Sequence, residues 1–518
     1  MSWDRRNAYL AVVLGAVLWG LLRQGAFFST DRQIFLALAV AALLLTPRWW
    51  AVVRTTQFVM PAGAIALAVT ASSWAHRVPS AAAVALAPAL AAVALGAAGV
   101  RAHGAGNAAR LLGAVADLTA VAGFLGWAGV AGHLPGLAQL QTSGWRATAT
   151  LGYANALGLV LLIGLLVAAG HAARFPGRAG LVRCWVLATG LLATQSRAAV
   201  AAAVLGWLLL RLHDRAAATV LTRAAGWTAV AFAGLLPAVV LPHAARVAAL
   251  APAVVGAAVG LGGLLAAPRG RAFRAVTSAA LAGATIGAVV ALHGRVLDGG
   301  SVAGRLLLWR STLAEARAGG FFGVGPGRLL ALVHGETGAV LAHSDPLQYL
   351  LFYGVPGGLA LLISAWSAVR HLCRTRATAG DGWAVGAAVA AATAMAAAVD
   401  FPLHIPVIPA LAALVAGVCA GSVTTKADSV TTKADSVTTE AGCATTKAES
   451  VPTEAGSVTT KAGSVTTKAG SIATEAGSDP TKGSPTCPSN AFSVTVPGTA
   501  APSEVPAHAR SSSALPRP

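Results

Sequence analysis

The sequence predicts an all-α polytopic membrane protein with about 12–14 transmembrane helices, and three observations support this. Hydrophobic residues make up 56% of the chain and charged residues 11%, whereas soluble domains average roughly 25% charged residues. Apolar stretches long enough to cross a bilayer recur as far as residue 421. Arginines are also unevenly shared between alternate loops.

Fourteen apolar stretches are candidate spans. They cover residues 8–23, 33–46, 57–75, 80–100, 111–131, 151–170, 181–195, 198–212, 223–242, 246–267, 273–292, 347–369, 383–399 and 405–421. The short stretches 33–46 and 198–212 could be re-entrant or interfacial, which would leave twelve. The first stretch follows two arginines, as a signal peptide would, but no cleavage motif follows it, and it is interpreted as a membrane anchor. Residues 1–421 are therefore predicted to form a transmembrane bundle.

Arginine positions predict the orientation of this bundle. The even-numbered loops between the fourteen spans hold sixteen arginines, and the short odd-numbered loops hold six. Positive residues concentrate on the cytoplasmic side of membrane proteins. The even loops and both termini are therefore expected to be cytoplasmic, in a multi-pass plasma-membrane protein. The net charge of +19 is then explained by topology and by anionic lipid, so no nucleic-acid partner is inferred.

Residues 422–518 have a different composition. They begin with eight seven-residue units of the type SVTTKAD and end rich in proline and serine. The spacing of valine and alanine imitates a coiled-coil heptad, but threonine, serine and glycine are poor helix formers. This segment is predicted to be a disordered, low-complexity, cytoplasmic tail without catalytic residues.

One long loop, roughly residues 293–346, is predicted on the outer face. Loops of that length are uncommon unless they are functional or disordered, and this one is too apolar for a disordered linker. It carries Arg305, Arg310 and His343, and its segment RLLLWRSTLAEAR is typical of an amphipathic helix. The GVGPG segment that follows lacks the GK[ST] ending of a phosphate loop, so it is interpreted as a tight turn.

Other unusual polar residues are predicted on the same face. Tyr153 and Asn155 begin the sixth span, Arg197 lies in a very short outer hairpin, and Asp400 lies in the last outer turn. Polar groups at membrane depth are costly and usually line a cavity or a site. We therefore expect one outward-facing polar cavity. Asp117, the one carboxylate within a span, is expected to pair with an arginine rather than to relay protons.

Five segments, in order, resemble motifs of the bacterial O-antigen ligase and O-antigen polymerase family. They are TLGYANALG, TQSRAAV, GRLLLWR with the downstream GVGPG, AHSDPLQYLLFYGVPG and DFPLHIP. The resemblance covers roughly residues 150–415. It implies a GT-C type membrane glycosyltransferase that takes a glycan from an undecaprenyl-diphosphate carrier and transfers it to a sugar hydroxyl at the outer face.

The resemblance also implies roles for individual residues. Arg197 and Arg305 match the family's diphosphate-binding arginines, and His343 matches its essential loop histidine. Asp400, Arg310, Tyr153 and Asn155 are expected to support the site. Many family members have asparagine at the position of Ser344. The family works without a metal ion or other cofactor, and the five scattered cysteines show no metal-binding spacing.

The partners implied are the lipid-linked glycan donor, a glycan or lipid-linked acceptor, and membrane lipid. Ligase and polymerase share these motifs, so both remain open. A transporter, for example a flippase of lipid-linked sugars, is the alternative from another class, although transporters tend to show internal repeats and midplane polar residues. A scaffold that recruits partners through its tail is a third alternative.

Overall fold

The structure is a computed structural model that describes residues 3–46, 49, 53, 58–141, 144–241, 246–266, 299–326, 342–376 and 382–419. Within these residues the chain is almost entirely helical, with a single short β-hairpin. Seven of the described helices are long and apolar enough to cross a membrane, and three shorter apolar helices accompany them. The protein is therefore an all-α, multi-pass membrane protein, as the sequence predicts.

The described helices are numbered here in chain order. Before the hairpin they are α1 (Trp3–Leu22), α2 (Ser29–Leu44), α3 (Val59–Ala75), α4 (Pro79–Gly104) and α5 (Ala108–Ala131). Strands β1 (Ala138–Gln141) and β2 (Gly144–Ala147) pair antiparallel. After them come α6 (Ala154–Arg174), α7 (Arg178–Ala193), α8 (Arg197–His213), α9 (Arg215–Val240), α10 (Arg246–Leu265), α11 (Gly299–Ala318), α12 (Asp345–Thr375), α13 (Gly382–Val399) and α14 (Val407–Cys419).

Thirteen of the fourteen predicted spans coincide with described helices. The eleventh, residues 273–292, lies outside the described residues, as does the predicted tail at 422–518. The helix predicted in the long outer loop is confirmed as α11. It buries Leu308, Thr312 and Ala316, which are spaced four residues apart on one face. The hairpin was not predicted.

Helix α6 lies at the centre of the bundle. Its side chains are buried almost without interruption from Ala154 to Ala172, and α5, α7, α8, α9 and α13 all contact it. A helix that is apolar on every side is stable only when other helices surround it or lipid does, and here helices do. The residues at its start are therefore held rigidly, which matters because Tyr153 and Asn155 lie there.

Helix α12 is broken at Gly354, and the glycine-rich turn after α11 fills the break. Gly354 has a φ of 61° and cannot continue the helix. The turn restores the lost hydrogen bonds, because Val324 N–H donates to Leu351 O at 2.8 Å and Val355 N–H donates to Phe321 O at 2.9 Å. Backbone groups at membrane depth need such protein partners. The tight-turn interpretation of this glycine segment is confirmed for its described part.

The predicted odd-numbered loops come together at one end of the bundle, here called the odd-loop end. The α5–α6 connection contacts the α7–α8 connection, where Gln195 Nε2 donates to Trp145 O at 2.6 Å. His76, after α3, contacts Gly323 O at 2.9 Å. The predicted pairing of Asp117 is also confirmed, because Arg183 Nη2 donates to its carboxylate at 3.0 Å.

The crossing of α5 and α7 depends on two glycines in direct contact, and this generates a stability prediction. A Cβ added at Gly190 would lie 2.7 Å from Gly123 Cα, and backbone cannot move aside as a side chain can. We expect Gly190→Ala to lower the free energy of unfolding in detergent micelles by about 1–3 kcal/mol. Gly226→Ala in α9 is the control, because no atom lies within 4 Å of its added Cβ. Equal stability of both variants would contradict this packing.

Candidate functional site

The buried carboxylate of Asp400 is the centre of the polar cluster at the odd-loop end. Asp400 follows α13 and is only 4% exposed. Tyr153 Oη donates to its two oxygens at 2.9 and 3.0 Å, and His343 Nδ1 lies 3.2 Å from Oδ1. Three residues from distant parts of the chain, each predicted for the site, are thus joined by direct contacts.

His343 is held in a specific tautomer by this contact. A carboxylate only accepts hydrogen bonds, so Nδ1 carries a proton, and in the neutral ring the free lone pair is on Nε2. The side chain is 30% exposed. Its backbone φ of 49° lies in the left-handed region, which is uncommon for a residue other than glycine and clusters at functional sites. The geometry therefore presents an accessible imidazole that can accept a proton.

Phe401 provides an aromatic support beneath both Tyr153 and His343. Its ring stacks on Tyr153 at 5.1 Å between centroids and meets the His343 ring edge-on at 5.2 Å. Aromatic pairs at these separations add to the stability of the arrangement beyond burial alone. Phe401 thus restricts both rings that reach Asp400.

A chain of hydrogen bonds extends from Asp400 to Arg146 on β2. Asn155 Nδ2 donates to Tyr153 Oη at 2.9 Å, and Arg146 Nη2 donates to Asn155 Oδ1 at 3.0 Å. Arg146 Nη1 and Nε also donate, to Gln141 Oε1 at 3.0 Å and to Thr194 O at 2.9 Å. The guanidinium of Arg146 therefore fastens the hairpin, the start of α6 and the α7–α8 turn together.

Two pKa shifts report the low polarity of this cluster. Burial raises the pKa of Tyr153 well above its ordinary value, and the neighbouring Asp400 carboxylate raises it further. Burial lowers the pKa of Arg146, and the positive charges of Arg197 and Arg305 lower it as well. Tyr153 is therefore a hydrogen-bond donor rather than a phenolate at neutral pH, and Arg146 lies in the field of two further cations.

Arg197 and Arg305 both lie near the cluster, but they are less buried than its centre. Arg197 is the first residue of α8 and is exposed, and the preceding Ser196 lines the same small cavity as Tyr153 and Asp400. Arg305, in the second turn of α11, is half-buried, and its charge lowers the pKa values of Tyr153 and Arg146. The cluster therefore carries a net positive charge and can attract an anion.

Arg310 is the predicted supporting residue that the structure does not bring to the site. It lies five residues after Arg305, or about 140° around the α11 axis. Arg310 is exposed, and within the described residues it makes no ion pair or hydrogen bond with the cluster. The sequence placed it on the correct loop, but helical periodicity points it in another direction.

An apolar cavity of about 410 Å³ opens beside the cluster. Helices α3, α4, α12, α13 and α14 line it, from Asp345 and Leu403 at the odd-loop end to Thr375 and Cys419 at the opposite end. Its α12 lining lies on both sides of the break at Gly354, within residues 345–349 and 361–375. One of its lining residues, Asp345, lies two residues along the chain from His343.

Four residues contribute to the site without having been predicted as site residues. Arg146 was counted only as one arginine of an outer loop, and Phe401 only as part of a turn. Asp345 and His404 lie within two of the quoted motifs, but the hydrogen-bonded pair that they form at 2.7 Å was not predicted. Arg146 could have been found from its position. Like Arg197, it is an arginine in an odd-numbered loop, where arginines are few.

No protein-family model matches this chain, and no curated protein matches it. Its fold makes it a multi-pass, all-helical membrane protein. Within the part of the chain that the structure describes, no group of three His, Cys, Asp or Glu side chains could hold a metal ion. The functional assignment therefore depends on the motifs and on the geometry of the cluster.

The hydrogen bond between Tyr153 and Asp400 can be measured by a double-mutant cycle. Because the acceptor is a buried carboxylate, we expect a coupling energy of about 1.5–3 kcal/mol between Tyr153→Phe and Asp400→Asn in the free energy of unfolding. Tyr153→Phe combined with Asp117→Asn is the control, since Asp117 pairs with Arg183 instead. Additive effects in both pairs would contradict the described contact.

Proposed function

We propose that this protein is a membrane glycosyltransferase of the O-antigen ligase/polymerase type. It transfers or polymerises glycan from an undecaprenyl-diphosphate carrier onto an acceptor sugar hydroxyl. The observation that carries the proposal is the contact of His343 with the buried Asp400 carboxylate, in an arginine-rich cluster beside a long apolar cavity. Each of these features supplies one requirement of the reaction.

Arg197 and Arg305 would bind the diphosphate of the donor. Arginine presents a planar fork that matches phosphate oxygens and remains charged at any working pH. The half-buried position of Arg305 increases the strength of such an interaction, because water screens it less. As the bond to the sugar breaks, negative charge grows on the departing diphosphate, and fixed cations stabilise it there.

His343 would act as the general base. The acceptor hydroxyl oxygen attacks the anomeric carbon, Nε2 of His343 takes the hydroxyl proton, and the bond from carbon to the diphosphate oxygen breaks. Lipid diphosphate then leaves with the electron pair. Asp400 holds the Nδ1–H tautomer and stabilises the imidazolium that forms, as the carboxylate does in other histidine–carboxylate pairs.

The apolar cavity offers a place for the carrier's isoprenoid chain. Burying hydrocarbon between apolar helices desolvates few polar groups, since most of the lining is alanine, proline and leucine. The lining residue Asp345 is two residues from His343, so a chain in the cavity would have its diphosphate near the cluster. The odd-loop end would face away from the cytoplasm in the plasma membrane, with both termini inside.

A flippase of lipid-linked sugars is the second candidate, and the length of the cavity is the observation that favours it. The lining runs from one end of α12 to the other, as a path between leaflets would. A flippase, however, has no need for a general base. Transport without a covalent product in liposomes would therefore support this alternative over transfer.

Replacing His343 tests the proposed chemistry. We expect His343→Ala to reduce glycan transfer by about 10²–10⁴-fold, because general-base catalysis contributes that much. The measurement is formation of glycan product from an undecaprenyl-diphosphate donor by purified protein in liposomes. His213→Ala is the control, since His213 is an exposed histidine at the end of α8 opposite Arg197. Unchanged transfer in the His343 variant would remove this residue from the mechanism.

Arginine-to-lysine changes test diphosphate binding. Lysine keeps the charge but loses the fork, so Arg197→Lys and Arg305→Lys should each lower kcat/KM by about 10–100-fold, as expected for losing one charged hydrogen bond. Arg310→Lys is a matched control on the same helix as Arg305, and it should have little effect. Equal losses at 305 and 310 would indicate a general requirement for α11 rather than a diphosphate site.

A further inference from the structure

A second histidine–aspartate pair lies directly beside the first. Asp345, the first residue of α12, is completely buried. His404 Nδ1 lies 2.7 Å from its Oδ1, and Leu403 N–H donates to its Oδ2 at 2.9 Å. A buried carboxylate is tolerated only when its oxygens are satisfied in this way. The pair is therefore a strong constraint on the two segments that carry it.

The two pairs are crossed between the same two segments. His343 and Asp345 lie at the start of α12, and their partners Asp400 and His404 belong to the turn between α13 and α14. A backbone bond joins them as well, because Asp345 N–H donates to Asp400 O at 2.8 Å. Asp345 is thus bonded to this turn twice. Its side chain contacts His404 and Leu403, and its backbone N–H donates to Asp400, which also contacts His343.

His404 cannot take the place of His343 as the reacting imidazole. Its Nδ1 donates to Asp345, and its Nε2 is buried and has no hydrogen-bond partner among the described residues. The rings of Tyr349 and Phe352 lie 5.4 and 6.3 Å from its ring and cover it. A sugar hydroxyl would reach the partly exposed His343 ring but not Nε2 of this one.

We infer that Asp345 and His404 form a positioning pair that holds His343 in its strained backbone conformation and against Asp400. His343 has a φ of 49°, and a residue other than glycine keeps such a conformation only when its surroundings enforce it. The bonds of Asp345, two residues further on, supply that enforcement. The catalytic meaning of the pair rests on the proposed function, whereas its effect on His343 does not.

The test compares two substitutions of His404 that place a donor at different positions. Asparagine puts its amide N–H where Nδ1–H lies, and glutamine puts it where Nε2 lies. The readout is the rate at which diethylpyrocarbonate modifies His343 in the purified full chain, followed by peptide mass spectrometry. This reagent attacks the free ring nitrogen and needs no lipid substrate. Asp400→Asn is the reference for a His343 that has lost its carboxylate.

We expect His343 to be modified at the wild-type rate in His404→Asn. In His404→Gln, we expect the modification rate to change in the same direction as in Asp400→Asn. In the transfer assay, His404→Gln should lower kcat by about 10–100-fold, as a misplaced catalytic group does, with little change in KM. Rescue by asparagine separates positioning from general stability, and thermal unfolding of both variants checks that each is folded.

Two results would overturn the inference. One is a folded His404→Gln variant in which His343 reacts at the wild-type rate. The other is equal disturbance of His343 by asparagine and glutamine, which would mean that the ring's packing matters rather than its bond to Asp345. Absence of glycan transfer in the wild type, together with the expected reactivities, would instead refute the proposed function and leave the positioning role in place.

Discussion

The burial of the Asp400 carboxylate is the constraint on which the rest of the site depends. An ionised carboxylate that is removed from water costs several kcal/mol unless its oxygens are paired. The partners that satisfy Asp400, Tyr153 and His343, come from segments 247 and 57 residues away in the sequence. The bundle therefore reaches its stable packing only when these segments meet. The contacts that stabilise the fold are thus the same contacts that form the site.

The fold makes this meeting rigid. Tyr153 and Asn155 stand at the start of the central helix α6, which other helices enclose, and Arg146 ties that start to the hairpin and to the α7–α8 turn. Catalytic groups held by packed helices keep their geometry better than groups on free loops. The apolar cavity adjoins this cluster, so a surface suited to hydrocarbon lies next to a polar, cationic surface.

Apolarity along the sequence predicted most of the fold, because membrane-spanning helices are defined by length and composition. It also predicted that the odd-numbered loops would share one end, and hence that Tyr153, Arg197 and His343 would be near one another. Pairings across more than fifty residues, such as Asp345 with His404, follow from tertiary packing and leave no local pattern. The sequence pattern also did not separate Arg310 from Arg305, although the two differ in exposure and in position around the α11 axis. The hairpin bearing Arg146 was too short to give a periodic signal.

Electron cryomicroscopy of the protein in nanodiscs, with an undecaprenyl-diphosphate-linked glycan bound, would show where the donor lies relative to His343. We expect the diphosphate against Arg197 and Arg305, the anomeric carbon facing Nε2 of His343, and the isoprenoid chain in the cavity along α12. A diphosphate bound at the opposite end of the bundle, or a donor whose sugar lies away from His343 while Asp400 still holds that ring, would contradict it.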